Sequence, residues 1–121
     1  MPARLRIAAA DDVEAALSRL DEARPDDLRL LTKHFLAVLE DRAPGHSVEV
    51  RVPPYAAVQV IPGVRHTRGT PPAVVETDAA TWIALATGEL AWSDAESSAR
   101  ISASGERADL TPYLPLLVSL D

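Results

Sequence analysis

Side chains that could bind an anion are concentrated in one basic segment, Arg65-His66-Thr67-Arg68-Gly69-Thr70-Pro71-Pro72. Two arginines, a histidine and hydroxyl groups on a glycine-containing loop could clamp a carboxylate or a phosphate. The other interpretation is a solvated surface loop in which one arginine pairs with Glu76 or Asp78. The segment lacks the Gly-Lys-Ser/Thr sequence of a phosphate-binding loop. The residues alone leave both interpretations open.

The remaining reactive side chains form no pattern typical of catalysis or metal binding. The chain has no cysteine, which excludes thiol nucleophiles, disulfides and thiolate metal sites. Its histidines, His34, His46 and His66, are not at metal-ligand spacing, and no serine lies in a Gly-x-Ser-x-Gly turn. We expect no catalytic residue, no metal and no cofactor. An enzyme remains conceivable only if the basic segment holds a cofactor or a thiol in a cleft with a partner chain.

The two tryptophans, Trp82 and Trp92, flank Leu85, Leu90 and the turn at 87–89. Large aromatic side chains dominate burial in small domains, so both can be ordinary core residues. The functional interpretation is that they line an apolar cavity between a sheet and its helices. A packed core and a ligand cavity need the same residue types, so both interpretations stand.

Composition predicts one globular domain. The 121 residues are 47% hydrophobic and 25% charged, which is enough to bury a core. A net charge of −6 disfavours nucleic acid as a partner. No apolar stretch approaches the roughly 20 residues that span a bilayer, and the run at 7–10 is too short for a signal peptide. We expect a cytoplasmic domain over 1–121, with N-terminal helices in 1–44 and a sheet-helix core in 45–121.

Hydrophobic periodicity predicts two helices followed by strands in the first half of the chain. Residues 11–20 and 25–42 have helical spacing, and Asp11 with Glu14 has the offset of a capping box. The period changes to two at Val48, Val50 and Val52, which indicates a half-buried strand. Residues 55–61 are largely apolar on both faces, which predicts a central strand.

The second half of the chain alternates between strands and short helices. Residues 73–77 and 100–104 read as strands. Asp78 is expected to cap a helix that Gly88 ends, and Ser93 with Glu96 to open a helix over 94–99. Thr111-Pro112 is expected to begin a last helix. Because consecutive strands favour antiparallel pairing, the class is α+β, with helices covering one sheet.

Several of these segments together resemble a known family. They are Glu76-Thr77-Asp78-Ala79-Ala80-Thr81-Trp82, Leu85-Ala86-Thr87-Gly88-Glu89-Leu90, Ala95, Arg100-Ile101-Ser102-Ala103-Ser104-Gly105-Glu106-Arg107 and the leucine-rich end. In this order they resemble the sterol carrier protein type 2 family. With the loop at 66–72 the chain looks like bacterial sterol-carrier-like proteins. The resemblance covers roughly residues 48–118.

The resemblance implies a mostly antiparallel sheet of about five strands, covered by helices and enclosing a hydrophobic tunnel. The fifth strand would lie in 62–72 or in Leu90-Ala91-Trp92. The resemblance also implies a lipid, fatty-acyl or sterol-like ligand that is bound or carried without catalysis.

We therefore expect a ligand cavity between the sheet and the helices, lined by Val58, Val60, Val75, Trp82, Leu85, Trp92, Ile101, Leu114 and Leu117. Arg65, His66 and Arg68 would contact an anionic head group. The alternative is an accessory or protein-interaction domain with a filled core and no ligand. A solid interior together with an exposed apolar patch would favour that alternative.

Overall fold

A computed structural model describes residues 5–63, 73–105 and 108–117 of the chain. The elements, in chain order, are α1 (Ala10–Ser18), α2 (Pro25–Arg42), β1 (Pro44–Val52), β2 (Ala56–Val60), β3 (Ala73–Thr77), α3 (Ala79–Thr87), α4 (Trp92–Ser97) and β4 (Ile101–Ser104). Short 3-10 helices occupy Leu20–Glu22 and Thr111–Tyr113. None of the described helices combines the length and the apolar character needed to cross a bilayer.

Helix α2 has the predicted bounds and the strongest local signals. Pro25 occupies its first turn, where a missing backbone N–H costs nothing, and Asp26 and Asp27 lie at the positive end of the helix dipole. Arg42 lies in the last turn, where a positive charge is favourable.

Two of the predicted helix signals are confirmed and two are wrong. Asp78 caps α3, because its Oδ1 accepts a hydrogen bond from the Thr81 N–H at 2.7 Å, and Gly88 ends the helix at a φ of 87°. Asp11 and Ser93 are not caps, since α1 and α4 begin at residues 10 and 92, earlier than predicted. Both side chains therefore lie in a first helical turn instead of preceding it.

The sheet is mixed, with the strand order β2-β1-β3-β4 among the described residues. Strand β1 pairs antiparallel with β2 and parallel with β3, and β3 pairs antiparallel with β4. The α+β class is confirmed, but the described sheet has four strands rather than five, and its central pair is parallel. The reason is that β3 lies beside β1 and not beside β2.

The chain is turned away from β2 at Ile61, which has a left-handed φ of 72°. Its N–H donates to the carbonyl of Ala43 at 2.6 Å, and its carbonyl accepts from the N–H of Ser47 at 3.1 Å. These bonds hold the end of β2 against the start of β1. Strand β3 lies on the other side of β1, so β2 and β3 do not form a hairpin.

Three element predictions are wrong. Strand β2 is at the edge of the described sheet and not in its centre, and Ala57 and Gln59 are exposed while the alternate valines are buried. Leu90-Ala91-Trp92 is not a strand, since Leu90 bonds back to α3 and Trp92 begins α4. The last helix is reduced to Thr111–Tyr113, because the residue before Pro115 is held extended.

The helices cover one face of the sheet. Helix α2 packs across β1 and β2, and both α1 and α3 pack against α2. The covered face presents buried valines from β1, β2 and β3, namely Val48, Val50, Val52, Val58, Val60 and Val75. The opposite face carries polar residues such as Arg51, Gln59 and Glu76, which are exposed. This alternation places the core between the sheet and α2.

Trp82 is fully buried where α3 meets α2, and its indole N–H donates to the backbone carbonyl of Thr32 at 3.3 Å. The Thr32 hydroxyl is also buried but has no hydrogen-bond partner among the described residues. A buried hydroxyl without a partner loses its bonds to water and gains none. Thr32 is therefore a locally unfavourable polar group in a packed helix interface.

Replacing Thr32 with valine should stabilise the protein, because a methyl group of similar size replaces the unpaired hydroxyl. We expect Thr32→Val to raise the free energy of unfolding by about 1 kcal/mol. The matched control is Thr77→Val, since the Thr77 hydroxyl donates to the Arg100 carbonyl at 2.9 Å. That change should lower the free energy of unfolding by about 1 kcal/mol. Urea unfolding followed by circular dichroism measures the free energy of unfolding of both variants. If both variants lost the same free energy of unfolding, the Thr32 hydroxyl would not be an unfavourable group.

Candidate functional site

A surface groove lies between α1, α2, the end of α3, the N-terminal segment (residues 5–9) and the C-terminal segment (residues 108–117). It has a volume of about 600 Å³ and is lined by Ile7, Ala8, Ala10, Val13, Glu14, Leu17, His34, Thr87 and Leu117. We call it the N-terminal groove. Its volume falls within the range of about 300–1,000 Å³ that is typical of small-molecule sites.

The N-terminal groove collects exposed apolar side chains. Ile7 is 52% exposed and Leu117 is 40% exposed, and these are the large hydrophobic residues that the described part of the chain leaves in solvent. Val13 and Leu17, one helical turn apart on α1, supply buried and half-buried apolar surface beside them. Contiguous exposed apolar surface of this kind marks a binding site more often than isolated residues do.

The C-terminal side of the groove is held by polar contacts of the backbone. The N–H groups of Leu116 and Leu117 both donate to the carbonyl of Ala86, at 2.8 and 3.0 Å. Arg42 donates from Nη2 to the carbonyl of Leu116 at 2.8 Å. Since the Leu116 side chain is buried, Leu117 is left at the surface beside the end of α3.

The opposite side of the groove depends on how α1 is joined to α2. Arg19, just after α1, makes two hydrogen bonds to Asp27 in the first turn of α2, Nε to Oδ2 at 3.0 Å and Nη2 to Oδ1 at 2.8 Å. These bonds keep the pKa of the Asp27 carboxyl below its ordinary value. The paired carboxylate thus has a structural role at this junction.

His34 is the titratable group at the floor of the groove. Its Nδ1 accepts a hydrogen bond from the backbone N–H of Ala8 at 3.0 Å, which ties the N-terminal segment to α2. Burial lowers the pKa of the His34 imidazole. In the neutral ring with Nδ1 as acceptor, the proton is on Nε2. Among the described lining residues, Glu14 is the one charged side chain, and it is exposed.

The predicted lining residues are distributed over different places. Leu85, Trp92 and Leu114 meet at a second cleft of about 270 Å³ between α3, α4 and the C-terminal segment. Ile101 lies at a third cleft of about 320 Å³, and Leu117 at the N-terminal groove. The other predicted lining residues belong to the buried core and line none of these clefts: Val58, Val60, Val75 and Trp82.

The predicted head-group contacts Arg65, His66 and Arg68 lie outside the described residues. Among the described residues, no three histidine, aspartate or glutamate side chains are grouped closely enough to hold a metal ion.

Sequence reasoning missed most of the N-terminal groove. It included Leu117 but assigned no functional role to Ile7, Val13, Leu17 or His34. A signal was present, because Val13 and Leu17 have the spacing of one apolar helix face. The missing information was tertiary, since only the fold shows that α1 leaves part of this face uncovered.

Protonation of His34 should release the N-terminal segment and lower stability in mild acid. Above the ordinary pKa of 6.5 the ring is neutral in both folded and unfolded chains, so this group causes no pH dependence. Below it, the unfolded chain binds the proton more readily than the folded chain, whose pKa is lowered, and stability falls until the folded pKa is passed. Urea unfolding between about pH 7 and pH 5 should show this loss in the native protein.

The control is His34→Asn, because asparagine keeps an acceptor near the Ala8 N–H but does not titrate. The variant should lack the part of the pH dependence that His34 causes. Identical pH profiles for the two proteins would show that His34 does not control stability.

The chain was compared with known protein families and with curated proteins. Residues 24–116 match the model of a family described as bacterial SCP ortholog. No curated protein matches the chain. The matched range includes α2, the four described strands, α3, α4 and the second cleft, whereas α1 and the segment before it precede the range. The resemblance drawn from the sequence is thereby confirmed, and the chain belongs to the family of bacterial sterol-carrier-like proteins.

Proposed function

We propose that this protein binds an apolar small molecule non-covalently, without catalysing a reaction, and that the N-terminal groove is the site. The observation that carries the proposal is the meeting of exposed Ile7 and Leu117 at one groove of about 600 Å³. Covering these side chains with an apolar ligand would contribute about 25 cal/mol for each Å² removed from water. Membership of a sterol-carrier-like family supports the same ligand class.

The packing of the interior supports a surface site over a ligand between the sheet and α2. Leu31, Phe35 and Leu39 of α2 are almost fully buried in one cluster with the valines of β1. Trp82 completes this cluster with its indole N–H bonded to α2. A ligand there would have to displace side chains that already bury one another, whereas the groove offers side chains that are still exposed.

The polar groups of the groove support binding without catalysis. The Thr87 hydroxyl donates to backbone carbonyls of its own helix, at 2.9 Å to that of Ile83. The His34 Nδ1 is engaged by the N–H of Ala8 and not by a hydroxyl. A nucleophile activated by a base would need the two groups in hydrogen-bond contact.

A second candidate is a protein-interaction domain, and the same exposed side chains favour it. An apolar patch beside a packed interior is what such a domain presents to its partner. The two candidates differ in whether the isolated protein binds a small apolar molecule.

Removing apolar surface from the groove should weaken binding of Nile red, a neutral apolar dye whose fluorescence rises in an apolar site. We expect Ile7→Ser and Leu117→Ser each to raise the dye's Kd about fivefold, which corresponds to roughly 40 Å² of lost apolar contact. Both residues are exposed, so stability should change by less than about 0.5 kcal/mol. The matched control is Leu90→Ser, which alters the second cleft and should leave the Kd unchanged.

Two outcomes would overturn the proposal. If the native protein does not bind the dye or any other apolar probe, the protein-interaction candidate stands instead. If Leu90→Ser weakens binding and the groove variants do not, the ligand lies in the second cleft.

A further inference from the structure

We propose that the N-terminal groove selects a neutral amphiphile, a molecule with one apolar chain and a hydroxyl or carbonyl oxygen, and discriminates against carboxylates. This inference rests on the proposed function and names the ligand class of that same site. His34 would donate a hydrogen bond from Nε2 to the ligand oxygen, and Glu14 would disfavour an anionic head group.

The hydrogen-bond donor follows from the tautomer of His34. Its Nδ1 is occupied as an acceptor by the Ala8 N–H at 3.0 Å, so the neutral ring carries its proton on Nε2. His34 lines the groove, and no described residue accepts a hydrogen bond from its Nε2. An apolar site with one free donor is suited to a ligand that is apolar along its length and carries one acceptor.

The charge distribution opposes an anion in the groove. Glu14 is negative, His34 is neutral, and the other described lining residues are uncharged. The nearby cations Arg6, Lys33 and Arg42 do not line the groove. Arg42 donates to the Leu116 carbonyl, and Arg19 is engaged by Asp27. A carboxylate would therefore lose water and approach one negative charge without meeting a positive partner.

The selecting residue Glu14 and much of the apolar lining belong to the part of the chain before residue 24. The match to the sterol-carrier-like family begins at residue 24, so this side of the groove is not contributed by the matched range. The proposed repulsion of anions thus comes from the elements before residue 24, whereas the donor His34 lies within the matched range.

Decanol and decanoate form a suitable pair of probes, because they share an apolar chain and differ in charge at the head group. Each would be titrated against the native protein loaded with Nile red, at a mildly alkaline pH where His34 is neutral and decanoate is ionised. We expect decanol to displace the dye at a concentration about tenfold lower than decanoate. Both ligands can accept a hydrogen bond from His34, but the carboxylate of decanoate must lose its water and is repelled by Glu14.

Two variants of His34 separate its donor from its acceptor. His34→Asn keeps an acceptor for the Ala8 N–H and loses the donor at Nε2, so it should raise the Kd of decanol about threefold to tenfold. His34→Gln places an amide N–H near the Nε2 position and should retain more of the decanol affinity. The far-ultraviolet circular dichroism spectrum of each variant serves as the control for an intact fold.

Glu14→Gln tests the electrostatic half of the inference. It should lower the Kd of decanoate about twofold to fivefold, because the repulsion between exposed charges is removed. The Kd of decanol should change less. Added salt screens the repulsion and should lower the Kd of decanoate for the native protein. The Kd of decanoate for Glu14→Gln should not depend on salt in this way.

Failure of the inference is distinguishable from failure of the proposed function. If the dye binds and decanoate displaces it as readily as decanol, the groove is an apolar site without the proposed selectivity. The same conclusion follows if decanol is preferred but His34→Asn leaves the decanol affinity unchanged and Glu14→Gln leaves the preference unchanged. If neither the dye nor decanol binds, the proposed function itself is wrong.

Discussion

The structure depends on the burial of helix α2 on most of its circumference. One side of the helix packs across β1 and β2, while α1 and α3 pack against other sides. Its buried residues accordingly include polar ones, Asp27, Thr32 and His34, beside leucines and Phe35. Each polar residue lies where α2 meets a particular neighbour. Asp27 bonds to the residue that follows α1, the Thr32 carbonyl bonds to α3, and His34 bonds to the N-terminal segment.

The groove is a consequence of this arrangement. Helix α1 and the segment before it cover part of α2, while α3 and the C-terminal segment cover another part. The apolar surface left between them includes Ile7, Val13 and Leu117. Backbone hydrogen bonds hold both sides in place, from Ala8 to His34 on one side and from Leu116 and Leu117 to Ala86 on the other. These hydrogen bonds fix the backbone on each side of the groove to α2 and to α3.

Local signals in the sequence predict the elements better than their arrangement. The bounds of α2, the cap at Asp78 and the stop at Gly88 follow from neighbouring residues, and all three are confirmed. The parallel pairing of β1 with β3 joins segments more than 20 residues apart in the chain, and no periodicity reveals it. The prediction that β2 is a central strand was wrong because Ala57 is small and is compatible with either a buried or an exposed face.

The candidate site shows the same division between local and tertiary information. Leu85, Trp92 and Leu114 meet at one cleft between α3, α4 and the C-terminal segment, and their role in binding a ligand stays a prediction. His34 was placed correctly within a helix, yet its role depends on the Ala8 N–H, 26 residues away in the chain. Contacts across such distances in sequence are decided by the packing of whole elements.

Nuclear Overhauser effects between decanol and assigned methyl groups would show whether an apolar molecule binds in the N-terminal groove. We expect contacts from the alkyl chain to the methyl groups of Ile7, Val13 and Leu117. Contacts to Val58 and Val75 instead would place the ligand between the sheet and the helices, and the N-terminal groove would not be the site.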